Sequence, residues 1–488
     1  MRERFLIVLV AGVAAVVGCG GGPSAASPTP EATTSVAPDP TAAATRSAAT
    51  RSASGDWPRF GYDAQRTGVA PSGPSASAVA GLSARTVDLP GTVDSSPILV
   101  GRTLVVTTTY GITVGLDPAS GAQKWRFTPG SYSSLKGSSQ ITTASPVADP
   151  SRRYVFAASA DGRIHKLRVS DGSEVTSGPW PVSVTRDATR EKLAAALNLD
   201  GRYVLATTGG YIGDAPPYQG KVVAIDRLSG RLAHVWNSLC SGRRRIITPS
   251  SCAASDSAIW GRGGAVVAGG THRIYVATGN GPFDGRQNWG DSVLELTRAA
   301  GGLRRHYTPV TQSALSDADA DLGSASPALV PSGRPAYVLQ GGKDGRLRLL
   351  SLKSSLHAPG PRLGGEVQVL PQPGGQNVVS APLVLGREVV DATGGGTAAY
   401  TLRGGRLHAR WSSSAPGTSP VIAGGLLYVY DPTGALNVYR PAGGTLVKRF
   451  GGLPAGHWNS PIVARGRVYV PTGDANQHAT SGKLVILG

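Results

Sequence analysis

Cysteine, histidine and aromatic residues are scarce in this sequence, and each scarcity closes off some chemistry. There are three Cys among 488 residues. None lies in a Cys-x-x-Cys pair, which excludes thioredoxin-type redox work, and no Cys-x-x-Cys-His is present to attach a c-type haem. The eight His show no paired zinc-ligand spacing. No nucleophile elbow stands out either, so hydrolysis finds little support. Aromatics make up 6% of the chain while Gly reaches 67 residues, a balance that suits tightly turned strands better than helices. One short stretch, "ATREKLAAAL" from Ala188 to Leu197, carries helical character. Acidic residues are also few, 30 against 48 basic ones, for a net charge of +18.

The first residues read as an export signal. Arg2 and Arg4 precede an apolar run from Phe5 to Val17, too short to span a bilayer as a finished helix. The "VVGC" of Val16 to Cys19 resembles a lipobox, which implies cleavage before Cys19 and a diacylglycerol on its sulfur. An ordinary signal peptide cut elsewhere is the alternative. Residues 1–18 are thus expected to be a lipoprotein signal peptide. Residues 19–55, rich in Pro, Ala, Ser and Thr, cannot bury enough surface to offset ordering and read as a disordered tether. The folded part, 56–488, is expected outside the cell membrane or in a periplasm. Loss of Arg2, Glu3 and Arg4 with the signal lowers the charge by one, to +17. That charge favours anionic headgroups, wall polyanions or an acidic protein, though an Arg-rich composition alone would produce it. Nucleic acid is not expected as a partner, because no binding motif for it is present. An oxidising compartment permits Cys240 and Cys252, at the ends of "CSGRRRIITPSSC", to form a disulfide that contributes ~3 kcal/mol on a chain-entropy estimate.

From Asp56 onward one pattern repeats. "SSPILVGRTLVVTTTYGITVGLDPASGAQKWRF" contains four strand-length runs separated by Gly-rich, Tyr-Gly and Asp-Pro-Ala-Ser-Gly turns. Units open at Pro97, Pro146, Pro327, Pro382, Pro420 and Pro461. Two more, from Arg202 and Arg273, keep the later strands without the Pro. Eight units of four strands match the blades of a propeller, making the chain all-β and a single domain. The last unit ends at "KLVILG", one strand short. "LSARTVDLP", residues 82–90, is expected to fill that place and close the ring between the chain ends.

These repeats, with the opening "DWPRFGYDAQRTG" from Asp56, resemble the pyrroloquinoline quinone (PQQ) repeat propellers. That superfamily holds quinoprotein alcohol dehydrogenases and also the non-enzymatic scaffold lipoprotein of outer-membrane protein assembly, so the fold cannot choose an activity. In the dehydrogenases PQQ lies flat on a tryptophan beside a Ca²⁺ held by a Glu, an Asn and the cofactor, with an Asp as base and a Lys or Arg near the quinone oxygens. The resemblance places Asp214 at the calcium-binding Glu, one methylene shorter, and Asn280 of "TGN" at the Asn. Trp260 stands at the floor, and Lys343 at the basic position. Asp319 and Asp321 of "DADADLGSASP" fall at the catalytic Asp, similar to the Asp-x-Asp-x-Gly-(Ala/Ser)-Ser-Pro of polyvinyl alcohol dehydrogenase-like quinoproteins. No adjacent-cysteine disulfide is present to lie over PQQ, and without a haem site a separate electron acceptor is implied.

Each of these residues also has an ordinary reading. Asp317, Asp319 and Asp321 could cap a turn or simply be solvated. An EF-hand is excluded because Leu322 takes the required Gly position and Ala328 replaces the bidentate Glu. Read as extended backbone, the alternation points Asp319 and Asp321 the same way. Trp260 could pack between blades, Asn280 could turn a hairpin, and Lys343 could be solvated. Two hypotheses follow. A PQQ- and Ca²⁺-dependent dehydrogenase of an alcohol or sugar requires these side chains to converge at the channel mouth. A silent propeller that binds an envelope protein, peptide or glycan leaves them scattered.

Overall fold

The computed structural model describes residues 55–331, 335–375 and 379–488. The signal peptide, Cys19 and the tether up to Ser54 lie outside the described residues. Eight four-stranded antiparallel blades form an eight-bladed β-propeller, the seventh gaining a short fifth strand, Val69–Ala70, in parallel. Blade 1 runs from Ile98–Val100 to Gln123–Phe127, blade 2 from Val147–Ala148 to Val182–Ser183, blade 3 from Asn198–Asp200 to Leu232–Asn237 and blade 4 from Val266–Val267 to Leu303–Tyr307. Blade 5 spans Ala328–Pro331 to Gln368–Pro371, blade 6 Leu383–Leu385 to Arg406–Ser413, blade 7 Val421–Ala423 to Thr445–Phe450, and blade 8 Ile462–Ala464 to Gly482–Leu487 with Ala84–Leu89 outermost. Among the described residues no helix is long and apolar enough to cross a membrane.

β-Branched runs such as "TLVVT" and "KVVAID" form the middle strands, and these are buried along their whole length. That is the pattern of strands packed on both faces. Adjacent blades share their cores: Leu104 and Val106 of blade 1 lie in one apolar cluster with Val468, Val470 and Val485 of blade 8. Blade 8 closes the ring as expected. Ala84–Leu89 pairs antiparallel with Gly482–Leu487, so its outermost strand comes from the N-terminal side of the domain.

The opening "DWPRFGYDAQRTG" has a structural task of its own. It crosses the inner strands of blades 1, 2, 3, 4, 6 and 7 in turn. Trp57 bridges to Leu99, Ala148 N–H donates to Pro58 O, and Arg59 donates to Asn198. Val267 N–H donates to Ala64 O and Val384 N–H to Thr67 O, and Val69–Ala70 pairs in parallel with Val421–Ala423. Arg66 is buried, and its guanidinium donates to the carbonyls of Phe60, Ala196, Leu197 and Gly263.

One local expectation fails. Ala188 to Leu197 is not helical: a turn leads into irregular backbone with a single bridge from Lys192 to Gly209. Its polar backbone groups find tertiary partners instead, with Thr142 and Thr143 hydroxyls donating to Leu193 and Ala194 carbonyls and Arg66 to Ala196 and Leu197. Burial of Leu193 to Leu197 between blades outweighs the weak helical preference of an Ala-rich stretch.

Candidate functional site

In an antiparallel blade the turn from strand two to three and the crossover to the next blade leave the sheet on the same face. Every residue singled out from the sequence sits on such a segment. Asp214 lies between Tyr203–Thr207 and Lys221–Asp226, Trp260 on the crossover into blade 4, and Asn280 between Ile274–Ala277 and Val293–Leu296. Asp319 and Asp321 lie on the crossover into blade 5, and Lys343 between Pro335–Gln340 and Arg346–Ser351. Asp214, Trp260, Asp319, Asp321 and Lys343 come together around one cavity of about 230 Å³, with Lys192, Tyr211, Trp458 and Asn476 completing much of its wall. Asn280 does not line it. It reaches the acid cluster through its backbone, whose N–H donates to Asp321 Oδ1 at 2.7 Å.

The acidic triplet is not extended. A helix, Gln312–Asp317, ends at its first Asp, which is exposed, and Asp319 then takes a left-handed backbone with φ of 49°. That kink, tolerated by Asp, turns the chain so that Asp319 and Asp321 meet a single ammonium. Lys343 Nζ lies 3.0 Å from Asp319 Oδ1 and 2.7 Å from Asp321 Oδ2. The same Nζ stands 5.5 Å from the Trp260 ring centroid. Gly279 makes room beneath: a Cβ there would come within 2.6 Å of Asp321 Oδ1.

The electrostatics are lopsided. Burial, against the pull of Lys343, raises the Asp321 carboxyl above its usual range. Burial also raises Asp214, which accepts from the Tyr218 hydroxyl at 2.8 Å and is repelled by Asp319. Asp256 is raised by burial and by the charges of Asp321 and Asp319. Asp291 is pushed up to about 8, by burial foremost and by Asp321, and one of its oxygens, Oδ2, is buried without a hydrogen-bond partner. Lys343 therefore pairs directly with Asp319 and Asp321 and also attracts Asp214 and Asp291. Lys343 is driven the other way: burial opposes its charge, but Asp321 and Asp319 outweigh it and raise its pKa.

Beside this acid end lies a narrow recess sharing Lys192, Trp260, Trp458 and Asn476 with the cavity. Arg262 pairs there with buried Asp94 at 2.5 Å, and Asp94 also lies 2.9 Å from His457 Nδ1. His457 stacks on Trp458 at 3.7 Å, and Trp458 meets Trp260 at 5.6 Å between ring centroids. Asp94, Asp256, Asp291, Lys192, Arg262, His457, Trp458 and Asn476 were not singled out from the sequence. A signal for three of them existed: Asp94, His457 and Trp458 stand just ahead of the Ser-Pro anchors at Pro97 and Pro461, as Asp321 stands ahead of Pro327. Each anchor ends a crossover on this face. Cys240 and Cys252 are joined in a disulfide with Cα atoms 6.1 Å apart, closing an Arg-rich loop on the crossover that carries Trp260.

A family model described as outer membrane protein assembly factor BamB matches residues 77–279. No curated protein matches the chain in sequence. Among solved structures the chain is similar to a quinohemoprotein alcohol dehydrogenase from Comamonas testosteroni, at 16% identity and TM-score 0.64, over 88% of this chain and 80% of that one. It is similar to a europium-containing methanol dehydrogenase at 15% identity and TM-score 0.66, over 89% and 98% of the two chains. BamB from Moraxella catarrhalis aligns at 14% identity and TM-score 0.53, over 83% and 97%. At such identities the likeness is one of fold.

Proposed function

We propose, from the premise that this chain is a propeller of the PQQ-repeat superfamily, that it is a cell-envelope quinoprotein-type dehydrogenase acting on an alcohol or sugar. The observation that carries this reading is convergence. Asp214, Trp260, Asp319, Asp321 and Lys343 come from four separate segments of the chain and line one cavity.

The residues fit PQQ and Ca²⁺ in kind. A surplus of carboxylates on the cavity wall, Asp214, Asp319 and Asp321 against Lys343, is the environment a hard cation relieves. Asp214 and Asp321 are the proposed carboxylate donors. Asn280, expected to offer its side-chain amide, supports Asp321 through its backbone. Trp260 offers a flat aromatic face, and Lys343 a charge beside it. A quinone bound there supplies a two-electron acceptor, and the cation a Lewis acid. The rest falls to the protein's own side chains. Asp321 is buried and held by Lys343 and Asn280 N–H, so it is fixed in place. Asp319, paired with Lys343 at 3.0 Å but with its side chain 58% exposed, is the carboxylate that an incoming hydroxyl can reach to pass on its proton. A separate electron acceptor completes the cycle. The proposed leader and lipid on Cys19 would hold the domain at the outer face of the membrane or in a periplasm.

The match to the BamB family model over residues 77–279 favours a second reading, a non-catalytic envelope scaffold. Titration of the protein with PQQ, with and without Ca²⁺, separates the two through quenching of tryptophan fluorescence. The dehydrogenase reading expects saturable, calcium-dependent binding that is lost in Asp321→Ala. Absence of binding at micromolar PQQ overturns it and leaves the scaffold.

A further inference from the structure

Lys192 is the cavity's other amine, and its surroundings differ from those of Lys343. It lies on the crossover from blade 2 to blade 3. Its backbone is clamped to Gly209 by two hydrogen bonds, of 2.7 and 3.0 Å. The preceding Glu191 is fixed by a buried ion pair with Lys221. The side chain therefore leaves a rigid base and lines both the main cavity and the recess.

The neighbouring carboxylates are engaged elsewhere. Asp94 is taken by Arg262 and His457, Asp474 lies 3.3 Å from His457, and Asp214 accepts from Tyr218. Among the described residues Lys192 makes no ion pair, and its nearest ring contact is Tyr211, with 5.8 Å from Nζ to the centroid. Burial foremost, and then the positive charge of Arg262, bring its pKa down to about 8 against the opposing pull of Asp94, Asp214 and Asp474. About a tenth of such amines is neutral at pH 7. An amine desolvated beside a second cation is the arrangement that makes lysine a nucleophile.

We propose that Lys192 is a covalent capture site for small carbonyl compounds that enter the cavity. The Nζ lone pair attacks the carbonyl carbon, and the carbonyl π pair moves to oxygen, which takes up the proton released from nitrogen. The carbinolamine then loses that oxygen as water, the second hydrogen of the water coming from nitrogen, whose lone pair forms the C=N bond. No oxidant or reductant is needed. This inference does not depend on PQQ or a metal being bound.

The test uses glyoxylate as the probe and cyanoborohydride to reduce any imine, with peptide mapping by mass spectrometry. Expected is labelling of Lys192 at least about 10-fold faster than that of exposed Lys136 or Lys353, as an activated amine requires. Lys192→Met and Lys192→Arg should both lose the fast-labelled site while leaving the slow surface labelling unchanged. Labelling of Lys192 no faster than that of Lys136 and Lys353 overturns the proposal. Mapping on the unaltered protein decides the question even where a variant fails to fold. A parallel sample with PQQ and Ca²⁺ separates the two ideas. Fast labelling that PQQ does not slow supports Lys192 as the capture site and counts against PQQ in the cavity.

Discussion

Among the described residues Lys343 is the only cation within ion-pair distance of Asp319 and Asp321, and it also attracts Asp291 and Asp214. Removing it should cost more than a surface pair. A half-exposed cluster lies between the exposed and buried limits, so Lys343→Met is expected to lower stability by about 1–3 kcal/mol at pH 8. The carboxyl of Asp321 is already raised by burial. Its charge is therefore a burden above its ordinary pKa and not below it, and the penalty should shrink as the pH falls towards 5. Millimolar Ca²⁺ should restore much of the lost stability if the carboxylates can hold a cation. Urea denaturation of Lys343→Met at both pH values, with and without calcium, reads all three effects. A loss that is insensitive to pH and calcium would mean that Lys343 matters only through packing. The sequence showed these acids and this lysine as separate turns. It could not show the left-handed step at Asp319, because Asp-Ala-Asp-Ala-Asp is equally compatible with a strand, and the meeting with Lys343 depends on that step.

Where blades meet, a second buried acid sets a pH dependence unrelated to the cavity. Asp391, in the second strand of blade 6, is fully buried. It accepts from Gln372 Nε2 of blade 5 at 3.2 Å and has its other oxygen unpartnered. Burial pushes its pKa up to about 7. A native pKa above the unfolded value means that the folded state binds the extra proton. Its contribution is therefore present below about pH 4 and is lost as pH rises to about 7, by at most about 1.4 kcal/mol per unit. Asp391→Asn should flatten that slope and make the protein more stable than the parent at pH 8, with little difference at pH 4. Equal slopes for the two proteins would show that Asp391 pairs with a cation or water that removes the cost. The Cys240–Cys252 staple is testable at the same scale: Cys240→Ser with Cys252→Ser is expected to lose about 3 kcal/mol, read by chemical denaturation. The spacing of this pair was legible in the sequence. The failure of "ATREKLAAAL" as a helix was not, since local propensity cannot see that Leu193 to Leu197 are needed between blades 2, 3 and 4.

The ring itself was legible because it repeats. The Ser-Pro and Ala-Pro anchors and hairpin turns located six blades directly, and the missing last strand pointed to residues 82–90, within which Ala84–Leu89 fills its place. What the repeat could not reveal is any segment used once, and the stretch from Trp57 to Ala70 is of that kind. It is held by backbone bonds to inner strands and by the side chains of Arg59 and Arg66, and neither leaves a periodic trace. Closure makes a prediction about the whole molecule. Val485 lies in the middle of the final strand, opposite Thr86 on one side and Val470 on the other. Proline there removes a ladder hydrogen bond from a strand paired on both sides, and the cost should be well above that at a sheet edge. Because this strand ties the N-terminal side of the domain to its end, the loss should lower the stability of every blade. The circular dichroism and tryptophan transitions should then shift together. Thr445→Pro is the control: Thr445 begins the outer strand of blade 7, an exposed edge where proline is tolerated. Val485→Pro shifting no further than Thr445→Pro, or shifting one probe and not the other, would mean that blade 8 opens by itself and the remaining blades hold without closure.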